Sequence, residues 1–323
     1  MISISFVIPT YNRLERLKQV LTALETQTVP CSAFEVVVVS DGSNDGTDTY
    51  LRDLTTPLQL RPIFQPNSGV AAARNNGFRH AQGELIVFLD DDVEPTPNLL
   101  AEHLRAHGDC FDRSVVLGPM LTPQNFAMKP WVAWEQEMLM KQYRAMEQGE
   151  WQPTARQFYT GNTSLARRHL IDSGGFDERF RRAEDVELAY RLAKQGLNFI
   201  FNSAAIGYHY ADRSFRSWIE IPYVYGRNDV IFTRDKAQDW LLPKVCSEFH
   251  GRNLLVRTLV WLCLSRQPLT DSALLGLRMA ADTGERLGSK MLSRFAHSGM
   301  FNLRYYQGIA DELGGRKQFL ARL

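Results

Sequence analysis

One stretch constrains this chain more than any other. Between Gly83 and Pro95, five apolar residues, Leu85 to Leu89, run directly into three carboxylates, Asp90, Asp91 and Asp92. A run of that length between such punctuation predicts a strand covered on both faces, central in a sheet. Ligands of open α/β sheets sit outside the carboxyl ends of the strands, and the three Asp fall at that end. Three adjacent like charges repel unless a cation or strong donors lie among them. A divalent metal, Mg²⁺ or Mn²⁺, suits such hard oxygen ligands. A solvated acidic turn is the plainer reading, and the flanking sequence has to decide.

The flanks alternate. Strands are predicted at Ile4 to Pro9, Phe34 to Val39 and Leu58 to Phe64. Helices are predicted over 13–26 (Leu14, Leu17, Leu21 and Leu24 at helical spacing), 47–54 and 69–81, the last capped by Asn67-Ser68 and stopped by Gly83. Strand, helix, strand, helix, strand, helix, strand implies an α/β fold, a doubly wound and mostly parallel sheet with flanking helices. Neither GxGxxG nor GxxxxGK[ST] occurs, which removes the ordinary dehydrogenase and P-loop readings. Further helices are predicted over 96–108, 127–150 and 184–195, and strands over 115–118, 158–165, 199–201 and 205–210. From about Arg213 the pattern is helical to the end, with Pro222, Pro243 and Pro268 as breaks. The expected division is residues 1–212 and a helical C-terminal extension, 213–323, packing on them.

A chain of 323 residues can bury a sizeable core. Its net charge of +1 argues against a nucleic-acid partner. The charge is uneven: residues 241–323 hold 12 Lys/Arg against 6 Asp/Glu, a local balance of +6. Cys31, Cys110, Cys246 and Cys263 show no metal or disulfide spacing, and no leader-like start is visible, so a reduced cytoplasmic setting is expected. Leu254 to Leu264 is the most apolar late segment, too short to span a bilayer and interrupted by Arg257. A core helix is its first reading and an interfacial helix its second. Peripheral contact with the inner face of the membrane and a homo-oligomer face both stay open.

Several motifs stand in one order. Ser5-Phe6-Val7-Ile8-Pro9-Thr10-Tyr11-Asn12-Arg13, Val37 to Thr47 with Ser40-Asp41-Gly42-Ser43, Asn67 to Gly77, and Phe88-Leu89-Asp90-Asp91-Asp92 resemble successive blocks of the family 2 glycosyltransferases of GT-A fold. Gly161-Asn162, Gly174-Gly175-Phe176-Asp177-Glu178 and Glu184-Asp185 are similar to the blocks on the acceptor side. The resemblance covers roughly residues 3–212. It implies an inverting enzyme that moves a sugar from a nucleotide-sugar donor, UDP-linked by expectation, to a hydroxyl acceptor, with Mn²⁺ or Mg²⁺ against the leaving diphosphate. Cell-surface polysaccharide or glycolipid synthesis is the setting it makes commonest.

The resemblance also implies residue roles. Asp41 contacts the nucleobase, where an Asx-turn in its own loop is the plainer role. Pro9, Thr10 and Tyr11 line the base, and Arg13 and Arg74 reach ribose or phosphate, a salt bridge being the alternative for Arg74 in its Ala-rich helix. Asp90 faces the donor and Asp92 binds the metal. On extended chain these two share a face while Asp91 points elsewhere, to the sugar or to structure. Asp185 is the general base and Glu184 binds a hydroxyl. Gly161 and Asn162 line the acceptor side, and His209 is a further metal ligand. His103 and His107 read as a solvated helix face. Trp131, Trp134, Trp151 and Trp218 read as core aromatics before sugar-stacking ones. Two other classes compete: a nucleotide-sugar-binding protein without transfer activity, and a nucleotidyltransferase, which would carry a basic, Gly-rich loop after its first strand in place of Pro9 to Arg13.

Overall fold

The computed structural model describes residues 3–323. The chain forms two compact units: residues up to Ala127 with Gln136–Ala211, and Met128–Glu135 with Asp212–Leu323.

The first unit runs β1 (Ile4–Thr10), α1 (Leu14–Glu25), β2 (Phe34–Asp41), α2 (Thr47–Asp53), β3 (Gln59–Gln65), α3 (Val70–His80), β4 (Leu85–Leu89), β5 (Val93–Pro95), α4 (Leu99–His107), β6 (Ser114–Leu117), β7 (Met120–Leu121), α5 (Pro130–Glu147, its first turns in the second unit), β8 (Asn162–Ala166), α6 (Arg167–Asp172), α7 (Glu184–Lys194), β9 (Asn198–Phe201) and β10 (Gly207–His209). The large sheet has the order β3-β2-β1-β4-β8-β6-β9. β4 is its middle strand, as the apolar run requires. Pairs β3/β2, β2/β1, β1/β4 and β6/β9 are parallel, while β8 is antiparallel to both neighbours. A small second sheet, β5-β10-β7, stands just beyond the end of β4.

Period-two alternation fills both faces of the large sheet. Phe6, Ile8, Val36, Val38, Leu85, Val87 and Leu89 form one cluster with Leu17, Val20, Leu21 and Leu24 of α1. On the other face, α3 comes so close that a Cβ on Gly77 would lie 2.4 Å from Val7 Cγ1 and 3.2 Å from Val39 Cγ2. α3 is not capped by Asn67 or Ser68. Its N-cap is Gly69, at φ 96°; the Asn67 side chain donates to the Asp41 carbonyl at the end of β2 and the Ser68 hydroxyl to the Pro66 carbonyl.

The second unit holds the start of α5 with α8 (Phe215–Asp235), α9 (Leu241–His250), α10 (Leu254–Cys263), α11 (Gln267–Arg286), α12 (Lys290–Glu312) and α13 (Arg316–Leu320). Trp218, Ala281, Ala296 and Met300 form its core, flanked by Trp131, Trp134 and Phe215. The prolines do not break these helices as expected. Pro243 and Pro268 lie in the first turns of α9 and α11, where the missing N–H has no intrahelical partner in any case. Pro222 is buried inside α8, which runs on through it. Near it α8 and α12 touch backbone to backbone: a Cβ on Gly226 would meet the Tyr305 carbonyl, and one on Gly308 the Tyr223 carbonyl, each at 2.0 Å. Among the described residues no helix is long and apolar enough to cross a membrane.

Candidate active site

The acidic cluster is organised by two arginines. Arg74, in the buried face of α3, donates to Asp90 Oδ1 at 2.8 Å and to Glu184 Oε1 at 2.7 Å. Arg13, just before α1, donates to Asp91 Oδ1 at 3.1 Å and to Asp92 Oδ2. The expected pairing of Asp90 with Asp92 on one face is therefore corrected. β4 ends at Leu89, and the Val93 N–H closes a turn onto the Asp90 carbonyl at 3.0 Å. Alternation holds for extended chain only, so Asp91 and Asp92 turn to one guanidinium and Asp90 to the other.

These surroundings separate the carboxylates electrostatically. Burial pushes the Asp91 carboxyl up to about 7, against the pull of Arg13 and with a push from Asp92. Burial would raise Asp92 too, but His209 and Arg13 hold it down, at about 2. Asp92 thus keeps the negative charge of the pair. His209 reaches it from β10, which the antiparallel register with β5 sets beside the Asp turn, His209 opposite Val93. His209 Nε2 lies 3.6 Å from Asp92 Oδ1, and His209 Nδ1 is buried without a hydrogen-bond partner. Among the described residues no group of three or more His, Cys, Asp and Glu is placed to hold a metal ion. Asp92 and His209 supply two donors at a separation that suits a shared ion completing its shell from elsewhere.

Asp41, the last residue of β2, is buried, and its carboxylate ties down the β3–α3 loop. It accepts from Gln65 Nε2 at 2.7 Å and from the Ser68 and Gly69 N–H groups, each at 2.8 Å. Its carbonyl accepts from Asn67 Nδ2 at 2.9 Å. This is not an Asx-turn within its own loop; it binds the neighbouring loop at the N-terminus of α3. The loop after β1 is fixed in turn by Asn12, at φ 53°, which accepts from the Asn44 N–H and donates its own N–H to Ser43 Oγ. Tyr11 beside it has half its surface open to solvent, so its ring is not packed into the loop, whereas Pro9 and Thr10 are buried at the strand end.

Glu184 and Asp185 open α7, directly after Ala183 in the left-handed region at φ 59°, ψ 22°. A non-glycine residue is strained there, and such strain persists where surrounding contacts impose it. Asp185 is partly buried and accepts from the Val186 N–H at 2.8 Å. Burial first, then the Glu184 carboxylate, pushes the Asp185 carboxyl up to about 7, although Arg74 opposes them. A helix N-terminus steadies either carboxylate. Glu187 and Arg191 pair along the same helix at 2.6 Å.

Two expectations fail on packing. Asn162 is buried with its whole side chain engaged: Nδ2 donates to the Pro119 and Ala205 carbonyls, and Oδ1 is bonded to His103 Nε2. It has nothing left to offer an acceptor. His103 and His107 are not a solvated face. Both are buried against Ser164, and burial lowers each ring to about 4. Their face of α4 packs on the sheet, which the polar residue type concealed. Gly161, by contrast, lies at the site: its carbonyl accepts from the Asp90 N–H, and a Cβ there would lie 2.9 Å from Asp90 Oδ2. Of the tryptophans, Trp131, Trp134 and Trp218 belong to the second unit's aromatic core and Trp151 is exposed.

Asn75 is a positioning residue that the motifs do not single out. Buried in α3, it donates to the Phe176 carbonyl and to Glu178, and it accepts from the Phe176 N–H. It thereby anchors the segment leading to α7. The signal in the residues is its place in the Asn67 to Gly77 block, directly after Arg74.

The validoxylamine A glucosyltransferase of Streptomyces hygroscopicus subsp. jinggangensis is 35% identical over 219 residues, covering 60% of this chain and 52% of that protein. The chondroitin synthase of Escherichia coli is 26% identical, covering 64% of this chain and 34% of that one. The chain spans about half the length of the curated relatives it matches first. Among solved structures, S. aureus TarS 1-349 in complex with UDP-GlcNAc is 20% identical with a TM-score of 0.59, covering 94% of this chain and 90% of that one. A mannosyltransferase from Pyrobaculum calidifontis, in complex with GDP-Man and Mn²⁺, is also 20% identical with a TM-score of 0.59, covering 94% and 87%. These likenesses establish the glycosyltransferase fold inferred above. Residues 5–174 match the family described as Glycosyl transferase family 2, and the chain belongs to that family.

Proposed function

We propose that the protein is an inverting glycosyltransferase that moves a sugar from a nucleotide-sugar donor, UDP-linked, to a hydroxyl acceptor. The observation that carries this reading is the array at the carboxyl end of the central strand, where Arg74 bonds both Asp90 and Glu184 and so seats the adjacent Asp185, whose carboxyl is pushed up to about 7 by burial and by Glu184. A general base works best with a pKa near the operating pH. In the proposed step Asp185 takes the proton of the acceptor hydroxyl. The hydroxyl oxygen bonds to the anomeric carbon from the face opposite the leaving group. The bond from that carbon to the diphosphate oxygen breaks, and its electron pair leaves with the nucleoside diphosphate.

Asp41 and the half-exposed Tyr11 are assigned to the base, and Asp90 and Gly161 to the sugar side. Arg74 is buried with each terminal nitrogen bonded to a carboxylate and acts by positioning Asp90 and Glu184. Arg13, partly exposed, is the guanidinium that can turn to a phosphate. Asp92 and His209 would hold a divalent ion, which when bound offsets the charge developing on the diphosphate. The donors of the solved neighbours, UDP-GlcNAc and GDP-Man, belong to the class this site is assigned.

The test is release of UDP from UDP-sugars with Mn²⁺ or Mg²⁺, against an EDTA control and against Asp185→Asn. Asp185→Asn is expected to lower kcat about 10²–10⁴-fold while UDP still binds by calorimetry. Near-normal turnover in that variant overturns the base assignment. Pyrophosphate released from UTP would indicate nucleotidyl transfer instead. Asp92→Ala and His209→Ala are each expected to weaken the response to Mn²⁺, and an unchanged metal titration in both removes them as ligands.

A further inference from the structure

α10 lies in the second unit and presents an apolar face to solvent. Its inward positions are Val256, Val260 and Cys263, all buried. Leu254, Leu255, Thr258, Trp261 and Leu262 are all exposed, with Leu254 73% and Leu255 64% open. At 100° per residue these five positions fall within an arc of about 120°, one continuous face of the helix. A helix apolar on all sides normally has cover on all sides. α12 covers this one through Val256, Val260 and the Leu259 side chain that nears Gly299, and α11 covers its C-terminal end, where Thr270 donates to the Cys263 carbonyl; the stripe from Leu254 to Leu262 stays open. Contiguous exposed apolar surface marks an interaction site.

The charge beside the face selects its partner. Residues 249–270 contain Arg252, Arg257 and Arg266 and no Asp or Glu. Arg257 borders the stripe in the helical projection, about 40° from Trp261. Arg316, from α13, stands over the Trp261 ring at 4.7 Å. An amphipathic Trp between guanidinium groups, with Leu pairs on the same face, matches the interface of an anionic bilayer. There the rings sit at headgroup depth and the arginines meet phosphates. A second protein surface would need acidic residues opposite these arginines, and another copy of the same face would set arginine against arginine. At ten residues α10 is about 15 Å long, so it lies in the interface and does not span.

We propose that α10 docks the protein on an anionic lipid surface, inserting Leu254, Leu255, Trp261 and Leu262 among the headgroups. This assignment rests on the second unit alone and holds whether or not the transfer reaction is as proposed. It can be tested on the full chain with vesicles of phosphatidylcholine, pure or with phosphatidylglycerol. The protein is expected to sediment with the phosphatidylglycerol vesicles at low salt, to be released as salt rises, and to leave pure phosphatidylcholine unbound. Leu255, Trp261 and Leu262 are exposed and Arg257 is half-buried at the edge of the stripe, so circular dichroism should be unaltered. Leu255→Glu with Leu262→Glu is expected to cut partitioning at least about tenfold, and Arg257→Glu about fivefold or more. Trp261→Phe should remove the lipid-induced blue shift of tryptophan emission. No sedimentation of the full chain with anionic vesicles overturns the proposal, as does binding that survives the double Leu variant. A stable dimer by light scattering that the double Leu variant dissociates, without vesicle binding, would assign the face to a second copy.

Discussion

Asp185 holds a proton into the neutral range because burial and the Glu184 carboxylate both oppose its ionisation. That has a consequence for stability whose sign is fixed. The folded-state value lies above that of an unfolded Asp, so between about pH 4 and 7 the folded state binds more protons, and stability falls as pH rises through that window. Asp185→Asn cannot ionise. It is therefore expected to be more stable than the parent above pH 7, with the difference shrinking to little near pH 4. Thermal unfolding of both proteins across this range checks it, and a destabilised Asn variant at pH 8 would count against a raised carboxyl. The same proton explains the expected rate profile: turnover should rise as pH passes about 7 and the base becomes free.

α3 is the element on which the site depends. It carries Gly77 against Val7 of the sheet, Asn75 against the Phe176 loop, and Arg74 between Asp90 and Glu184. Removing Arg74 leaves two carboxylates without their cation in a buried setting, and breaking such a pair costs about 3–5 kcal/mol. Arg74→Ala should lose about that in urea unfolding. Arg74→Lys should recover only part, because one ammonium cannot span both acids as the fork does. Gly77→Ala forces a methyl 2.4 Å from Val7 Cγ1 and is expected to cost about 1–3 kcal/mol with no polar group changed. An Arg74→Ala protein as stable as the parent would show that the array is not what fixes α7 against the Asp turn.

At the scale of the whole molecule, the boundary between the two units is not one cut in the chain. Residues 128–135 leave the first unit and join the second, where Lys129 pairs with Asp212 at 2.7 Å, Trp131 donates to the Arg213 carbonyl at 3.0 Å, and Trp134 stacks edge-on to Trp218 at 5.9 Å. A chain cut after Ala211 removes every one of those partners and leaves Trp131 and Trp134 uncovered. Such a fragment is expected to bind a hydrophobic dye strongly and to aggregate on gel filtration. A monodisperse, dye-silent fragment would show that 128–135 finds other cover.

Much of the first unit was legible in the residues. Ile4 to Pro9, Phe34 to Val39 and Leu85 to Leu89 announce themselves as strands because apolar runs between turn residues have few other uses, and the alternation with helices gave the parallel order. The ordered motifs gave the family, because each sits where a strand meets its loop. The tertiary structure alone decided how the three Asp divide. A turn closed by Val93 breaks the alternation that holds in a strand, so their partners depend on where α1 and α3 bring Arg13 and Arg74. It also decided that Asn162, His103 and His107 are interior, since burial of a polar side chain is set by bonds to Pro119, Ala205 and Ser164, remote in sequence or on another strand. Side-chain type and local spacing are properties of the chain, whereas burial and charge pairing belong to contacts that exist only once it has folded.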